Sequence, residues 1–280
     1  MNGCPRVSKR QEYLKQGYVV LKNVIEHRDI QDLGQVFDHY FTVGMEFPRD
    51  NLTDFYKHSI DAGVLYDVHF RYPEFRQVIE RREIVDALVD ILDCEDLVIL
   101  ESSALTKKAG FANKVPMHQD FLDDPDGLCQ KAIVWIPLDD VGSSDGCLRI
   151  FPTFSNKKFP WKTLQGGATH HKELVDAAAF ETEARDLLLS AGDVLIFSNL
   201  LVHGSAEAAS DEGRRTLRFA IKTGETPYVP RGCPVVLSRK KHKYVASLFD
   251  KALNPRFGWK QKAMCAAYEI ARSIKKFIKN

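Results

Sequence analysis

KAIVWIPLDDV, Lys131 to Val141, is the stretch whose reading decides the fold. It is a short run rich in β-branched and aromatic residues that ends in a proline and two aspartates. SSDG (143–146) then supplies a turn signal, and CLRIFP (147–152) begins the next such run. GDVLIFSN (192–199) and RRTLRFAIKTG (214–224) repeat the pattern further on. Short apolar runs of this composition, separated by polar turns, predict strands. Several of them in series point to an all-β barrel or sandwich.

Helices precede this region. SKRQEYLKQG (8–17) reads as a short helix closed by Gly17, and YVVLKNVI (18–25) as a strand. Ile30, Leu33, Val36, Phe37 and Phe41 recur at helical spacing, and Glu83–Asp93 shows the same periodicity. DLVILESSALTKK (96–108) reads as a strand. Residues 155–185 are expected to be irregular, and an insertion of that length in a β-domain suggests a lid. At the end of the chain, Trp259, Ala263, Ala266, Ile270, Ile274 and Phe277 line one face of a helix whose other faces carry lysines and Arg272.

The net charge is +1, but it is unevenly spread. Ser238–Asn280 carries twelve Lys or Arg against Asp250 and Glu269, so the body is acidic and the tail strongly basic. No apolar run approaches the roughly 20 residues of a membrane span. MNGCPRVSKRQEYLKQG has no signal-peptide apolar region, so the expected location is the cytoplasm. The six cysteines form no C-x-x-C pair, which argues against a zinc ribbon and a thioredoxin-type motif.

The chemistry is concentrated in VPMHQDFLDD, Val115–Asp124. On a strand, residues i and i+2 share a face, so His118 and Asp120 project together while Gln119 points away. An imidazole and a carboxylate supply two members of a 2-His-1-carboxylate set, the arrangement that holds non-haem Fe(II) with positions left open. Alone, the pair could equally decorate a solvated strand. Among the nine histidines, His27, His39 and His58 fall in the helical region, His69 lies among aromatics, and His242 is in the basic tail. His170 and His171 sit in the insertion. His203 remains, carried by an apolar strand and followed by Gly204 and Ser205, with arginines on the next strand. A guanidinium fork near a metal can hold a carboxylate in bidentate fashion.

MHQD (117–120), GDVLIFSNLLVHGS (192–205) and RRTLRFAI (214–221), in this order, resemble the phytanoyl-CoA dioxygenase family of Fe(II)/2-oxoglutarate oxygenases. YLKQGYVVLKNVI (13–25) resembles the family's opening, and the likeness runs to about Thr223. The resemblance implies an α+β fold with a double-stranded β-helix (jelly-roll, cupin-like) core and N-terminal helices packed outside it, to which the apolar periodicity of the tail adds a C-terminal helical extension. The expected boundaries are 1–237 for the oxygenase domain, with its β-core at about 96–224, and, from its charge and helical periodicity, 238–280 for the basic extension. The resemblance also implies His118, Asp120 and His203 as iron ligands, and Arg214, Ser205, Trp135 and Lys107 around 2-oxoglutarate. Arg215 and Arg218 remain alternatives to Arg214. The chain departs from the family at PTFSNKK (152–158), where P-G-S-H is usual, so no contact by that histidine carries over.

The implied activity oxidises a substrate C–H bond with Fe(II), 2-oxoglutarate and O2, giving succinate and CO2, with ascorbate as a further reductant. Hydroxylation is the default, and desaturation and epimerisation use the same iron. Related halogenases lack the carboxylate, so Asp120 excludes halogenation. Asp123, Asp124, His170 and His171 are candidates for a substrate lid. The substrate is expected to be a small metabolite or, if the basic helix engages an anionic membrane surface, a lipid or lipid-linked sugar. An acidic carrier protein is the other partner such a helix would suit, and no nucleic-acid motif is present. A non-catalytic jelly-roll binding protein is the competing class.

Overall fold

The computed structural model describes residues 8–46, 63–107, 109, 114–120, 131–164, 172–223 and 235–238. Asp123, Asp124, His170 and His171 lie outside the described residues, as does the basic amphipathic segment after Ser238. No helix among the described residues is long and apolar enough to cross a membrane.

The chain opens with α1 (Lys9–Gln16), as its sequence predicts. Ser8 and Gln11 form a capping box, and Gly17 ends the helix in the left-handed region at φ 82°. A Cβ at Gly17 would stand 2.4 Å from the Phe154 ring, so glycine is required on two counts. β1 (Tyr18–Leu21) is shorter than expected because Asn23 turns left-handed at φ 53°. Then come α2 (His27–Glu46), β2 (Val64–Tyr66), and three helices, α3 (Val68–Arg71), α4 (Pro73–Ile79) and α5 (Arg82–Leu92). The apolar face of α5, Ile84, Ala87, Leu88 and Ile91, is buried.

The strands follow: β3 (Leu97–Lys107), β4 (Val115–His118), β5 (Lys131–Pro137) and β6 (Leu148–Ile150). Residues 155–185 are not wholly irregular. They contain β7 (Trp161–Thr163), β8 (Lys172–Leu174) and α6 (Ala177–Glu183), and β7 pairs with β8. β7 and β8 escape sequence reading because three residues are too few to show a period, and α6 because it buries only Ala177 and so shows no apolar stripe. β9 (Arg185–Leu187), β10 (Val194–Ser198), β11 (His203–Ser205), β12 (Arg214–Thr223) and β13 (Val235–Ser238) complete the set.

Two antiparallel sheets make the core. The larger runs β1-β10-β5-β12-β3-β13, with β2 also on β3, and the smaller runs β4-β11-β6-β9. Their facing sides share one apolar cluster, in which Ile133, Trp135, Phe197 and Ala220 of the larger sheet meet Leu148 and Ile150 of the smaller and Cys147 just before it. The outer face of the larger sheet buries Val134, Ile136, Leu217 and Phe219 against Phe37, Phe75, Ile84 and Leu88 of the helices. This is the expected double-stranded β-helix with helices outside it. Strand β12 carries both faces at once: Leu217 and Phe219 face the helices, while Arg214 and Arg218 line the cavity between the sheets.

Arg215 shows what the outward face of β12 does. Its guanidinium grips Asp139 at 2.6 Å and Asp38 at 2.8 Å and donates to the Gly34 carbonyl at 3.2 Å. It fastens α2 to the sheet and is therefore remote from the cavity.

Candidate metal centre and cosubstrate pocket

β4 and β11 are neighbours in the smaller sheet, with His118 opposite His203. Their ring centroids are 4.2 Å apart. A Cβ at Gly204 would meet the Val115 carbonyl oxygen at 2.7 Å, so this close approach needs a residue without a side chain. Asp120 lies just beyond β4, where its N–H donates to the Asn199 carbonyl at 2.9 Å. One ligand atom from each of His118, Asp120 and His203 lies within 4.8 Å of the other two, the only such group of His, Cys, Asp or Glu among the described residues.

The protonation pattern suits a cation. His118 Nδ1 lies 2.8 Å from the Pro116 carbonyl oxygen, and His203 Nδ1 lies 2.9 Å from that of Leu201. A carbonyl only accepts, so Nδ1 carries the hydrogen and Nε2 keeps its lone pair, as in metal-ligating histidines. Both Nε2 atoms face Asp120 at 3.9 Å, too far for a hydrogen bond. Burial holds His203 below the ordinary imidazole pKa against the pull of Asp120, which keeps it neutral. Two imidazoles and a carboxylate converging without bonding one another fit a non-haem Fe(II) ion.

The centre opens on a cavity of about 240 Å³ between the sheets. At one end Arg214 is buried, with its guanidinium carbon 5.0 Å from the Trp135 ring centroid. It donates through Nε to the Gly146 carbonyl at 3.0 Å and through Nη1 to Thr216 Oγ1 at 2.8 Å. Opposite it in the ladder stands Lys107, whose Nζ donates to Ser205 Oγ at 2.7 Å and to the Ala206 carbonyl. Since Ser205 Oγ accepts from Lys107, its own hydrogen is available to an acceptor in the cavity. Neither Arg214 nor Lys107 has a carboxylate within ion-pair distance among the described residues. Burying two basic groups without an ion-paired carboxylate is costly unless an anion joins them.

Of the three arginines, only Arg214 is so placed. Arg218 Nη2 lies 3.2 Å from Asp120 Oδ2 and its Nη1 3.3 Å from Glu101 Oε1. It thus stands beside the candidate metal with both its neighbours acidic. Arg215 is on the outside.

Burial, with Arg214 nearby, pushes Lys107 down to about 7. The sign of the effect on anion binding follows. Below pH 7 the ammonium is already charged, and above it each bound dianion must draw a proton onto Lys107. We expect 2-oxoglutarate affinity, measured by calorimetry, to fall above pH 7 by up to about tenfold per pH unit, with proton uptake on binding. Lys107→Met should bind more weakly and flatten the profile. Because the unfolded lysine keeps its ordinary pKa near 10.5, this group's contribution to stability rises as pH goes from 7 to 10.5.

Sequence reading did not single out Tyr66, Glu101 and Ser103, which line the cavity beyond Arg218. In the ladder, Tyr66 is opposite Ser103, and Ser103 is opposite Arg218, so they form a polar row across β2, β3 and β12. The available signal was the polar ESS (101–103) inside an otherwise apolar strand. His69 is buried outside the cavity, with Nδ1 2.6 Å from Ser102 Oγ.

The family model for phytanoyl-CoA dioxygenase (PhyH) matches residues 13–216, spanning both metal-bearing strands and Arg214. The chain belongs to the phytanoyl-CoA dioxygenase family. Peroxisomal phytanoyl-CoA dioxygenase of Homo sapiens is 22% identical to it over 251 residues, covering 81% of this chain and 71% of the relative. Among solved structures, the non-haem monooxygenase ThoJ superposes with a TM-score of 0.70 at 17% identity, covering 96% of this chain and all of that one. SnoN, a non-haem α-ketoglutarate-dependent epimerase of nogalamycin biosynthesis, gives a TM-score of 0.58 at 16% identity, with 78% and 82% covered. At these identities the structural likenesses speak for the fold of this phytanoyl-CoA dioxygenase family member, not for its substrate.

Proposed function

We propose that this chain is a non-haem Fe(II)/2-oxoglutarate-dependent oxygenase that hydroxylates a C–H bond of a small polar metabolite. The observation that carries this reading is the pairing of the His118–Asp120–His203 centre with the buried Arg214 and Lys107, neither of which has a carboxylate at ion-pair distance among the described residues. His118 and His203 through Nε2, and Asp120 through its carboxylate, would hold the iron. Arg214, with Ser205 and Lys107, would take the distal carboxylate of 2-oxoglutarate, with Trp135 beside it. When bound, iron with 2-oxoglutarate and O2 supplies the oxidising power for C–H cleavage and releases succinate and CO2. The protein's residues orient both molecules and exclude water by enclosing them between the sheets. Arg218, 3.2 Å from Asp120 Oδ2, holds that carboxylate in place.

The substrate class is argued from the wall that remains once that end of the cavity is assigned. Tyr66, Glu101, Ser103 and Arg218 offer hydrogen bonds across one side of the cavity. About 240 Å³ is also small against the roughly 300–1,000 Å³ of ordinary ligand pockets. A compact hydroxylated or amide-bearing substrate suits this better than a long acyl chain. Ascorbate as reductant, and an anionic membrane surface or acidic carrier protein engaging the basic tail, belong to the same proposal.

The test is succinate formation from 2-oxoglutarate by the purified chain. It should require both Fe(II) and O2 and accelerate with a polar substrate, whose product should gain one oxygen atom. Neither succinate nor Fe(II) binding under any condition would leave a non-catalytic jelly-roll protein. Turnover without oxygen incorporation would point to epimerisation or desaturation at the same centre.

A further inference from the structure

Gln119 stands between two candidate ligands and faces away from both. It is buried, and its amide is fully engaged. Nε2 donates to the Leu200 carbonyl at 2.7 Å and to the Lys157 carbonyl at 2.9 Å, and Oε1 accepts from the Phe159 N–H at 2.9 Å. These partners belong to two segments. Lys157 and Phe159 lie near the start of residues 155–185, whereas Leu200 belongs to the loop that delivers His203.

The neighbouring atoms of that loop are already committed to the centre. Asn199 accepts from the Asp120 N–H at 2.9 Å, and the Leu201 carbonyl accepts from His203 Nδ1 at 2.9 Å. Gln119 therefore adds a second stitch between the His-x-Asp segment and the loop before β11, and its bonds to Lys157 and Phe159 tie that segment to the insertion.

An apolar contact runs beside it. Met117 and Val202, each one residue ahead of a histidine ligand, are buried with Leu174 and Ala177 of the insertion. Phe159 and Phe180 pack on this cluster, with ring centroids 5.0 Å apart. The described part of the insertion is thus fastened to the back of the metal-bearing strands by both polar and apolar contacts.

We propose that Gln119 is a positioning residue for the metal centre and that the described parts of the insertion, 155–164 and 172–185, held through it and through the Met117–Val202 cluster, set the spacing of the ligands from behind. This rests on the metal reading above. Groups that orient metal ligands without touching the metal are worth about 10–100-fold in affinity. Replacing Gln119 by Leu would strand the buried Leu200 carbonyl on the loop that delivers His203, together with the Lys157 carbonyl and the Phe159 N–H of the insertion.

The test is Co(II) titration of the full chain, followed by the visible Co(II) spectrum and by thermal unfolding of the same samples. Gln119→Leu should weaken Co(II) binding about tenfold or more and shift the spectrum. Phe180→Leu, which loosens the cluster without touching a polar group, should weaken it in the same direction but less. A purely structural role for these residues would lower the melting temperature and leave the Co(II) affinity of the folded protein alone. Affinity within twofold of the parent in both folded variants overturns the inference. Should Gln119→Leu fail to fold, parent-like affinity in Phe180→Leu overturns it alone. A parent protein that binds no Co(II) overturns the metal assignment and this inference together, whereas parental binding with unaffected variants overturns this inference only.

Discussion

His203→Ala should bind Fe(II) or Co(II) more than a hundredfold more weakly than the parent and form no measurable succinate. The bound depends on comparison: displaced outer groups alone cost about 10–100-fold, and here a ligand itself is lost. The neighbouring geometry makes the loss hard to repair. His203 is fixed by Leu201 on one side and by the edge of the Phe197 ring, 4.8 Å away, on the other. The alanine variant would leave His118 and Asp120 facing a gap that water fills, and two protein ligands hold the ion weakly. His69→Gln is the control, because His69 is as deeply buried but bonds Ser102 away from the cavity. It should lower stability while leaving metal stoichiometry intact. Metal analysis of both variants decides, and an unaltered iron content in His203→Ala would refute the third ligand.

The second large effect is expected at Arg214. Removing one partner of a buried, hydrogen-bonded charge pair costs about 2–5 kcal/mol. Arg214→Met should therefore raise the KM for 2-oxoglutarate by about 30-fold or more, with metal affinity nearly unchanged. Arg214→Lys should recover little, because a point charge cannot reproduce a bidentate fork. The three arginines of β12 make the experiment internally controlled. Arg218→Met should act mainly on metal binding through Asp120, and Arg215→Met mainly on stability through its contacts to Asp139 and Asp38. If the 2-oxoglutarate effect instead follows Arg218, the cosubstrate lies at the other end of the cavity.

What was legible in the sequence was whatever depends on strand alternation and on residue type. His118 and Asp120 share a face by alternation, and the search for a third ligand ends at His203 because the other histidines sit in helical, exposed or aromatic contexts. Arg214 could not be separated from Arg218 by the same reasoning, since both face inward. Only their partners distinguish them: Glu101 and Asp120 ion-pair with Arg218, whereas no carboxylate among the described residues reaches ion-pair distance of Arg214, and partners are a property of packing. Glu101, Ser103 and Tyr66 were missed for the same reason: they become a row only when β2 and β12 flank β3. In the insertion, α6 and the strands β7 and β8 owe their form to burial of Leu174 and Ala177 against Met117 and Val202, residues distant in the chain. Gln119 was correctly expected to face away from the metal, but pointing away turned out to mean bonding three main-chain groups rather than facing solvent.

The position of β1 has a kinetic consequence. Tyr18 pairs with Phe197 and Leu21 with Val194, so one of the first strands to be synthesised has no partner until the tenth emerges. Contacts between residues so far apart in sequence raise contact order and slow folding. Meanwhile β10, with the apolar sequence VLIFS, presents an unpaired edge on the side that β1 will cover. Such an edge is a template for pairing with another chain. Dilution from denaturant at high protein concentration should therefore lose more chains to aggregation than dilution at low concentration, and shortening the delay before β1 docks should rescue yield without changing the final stability.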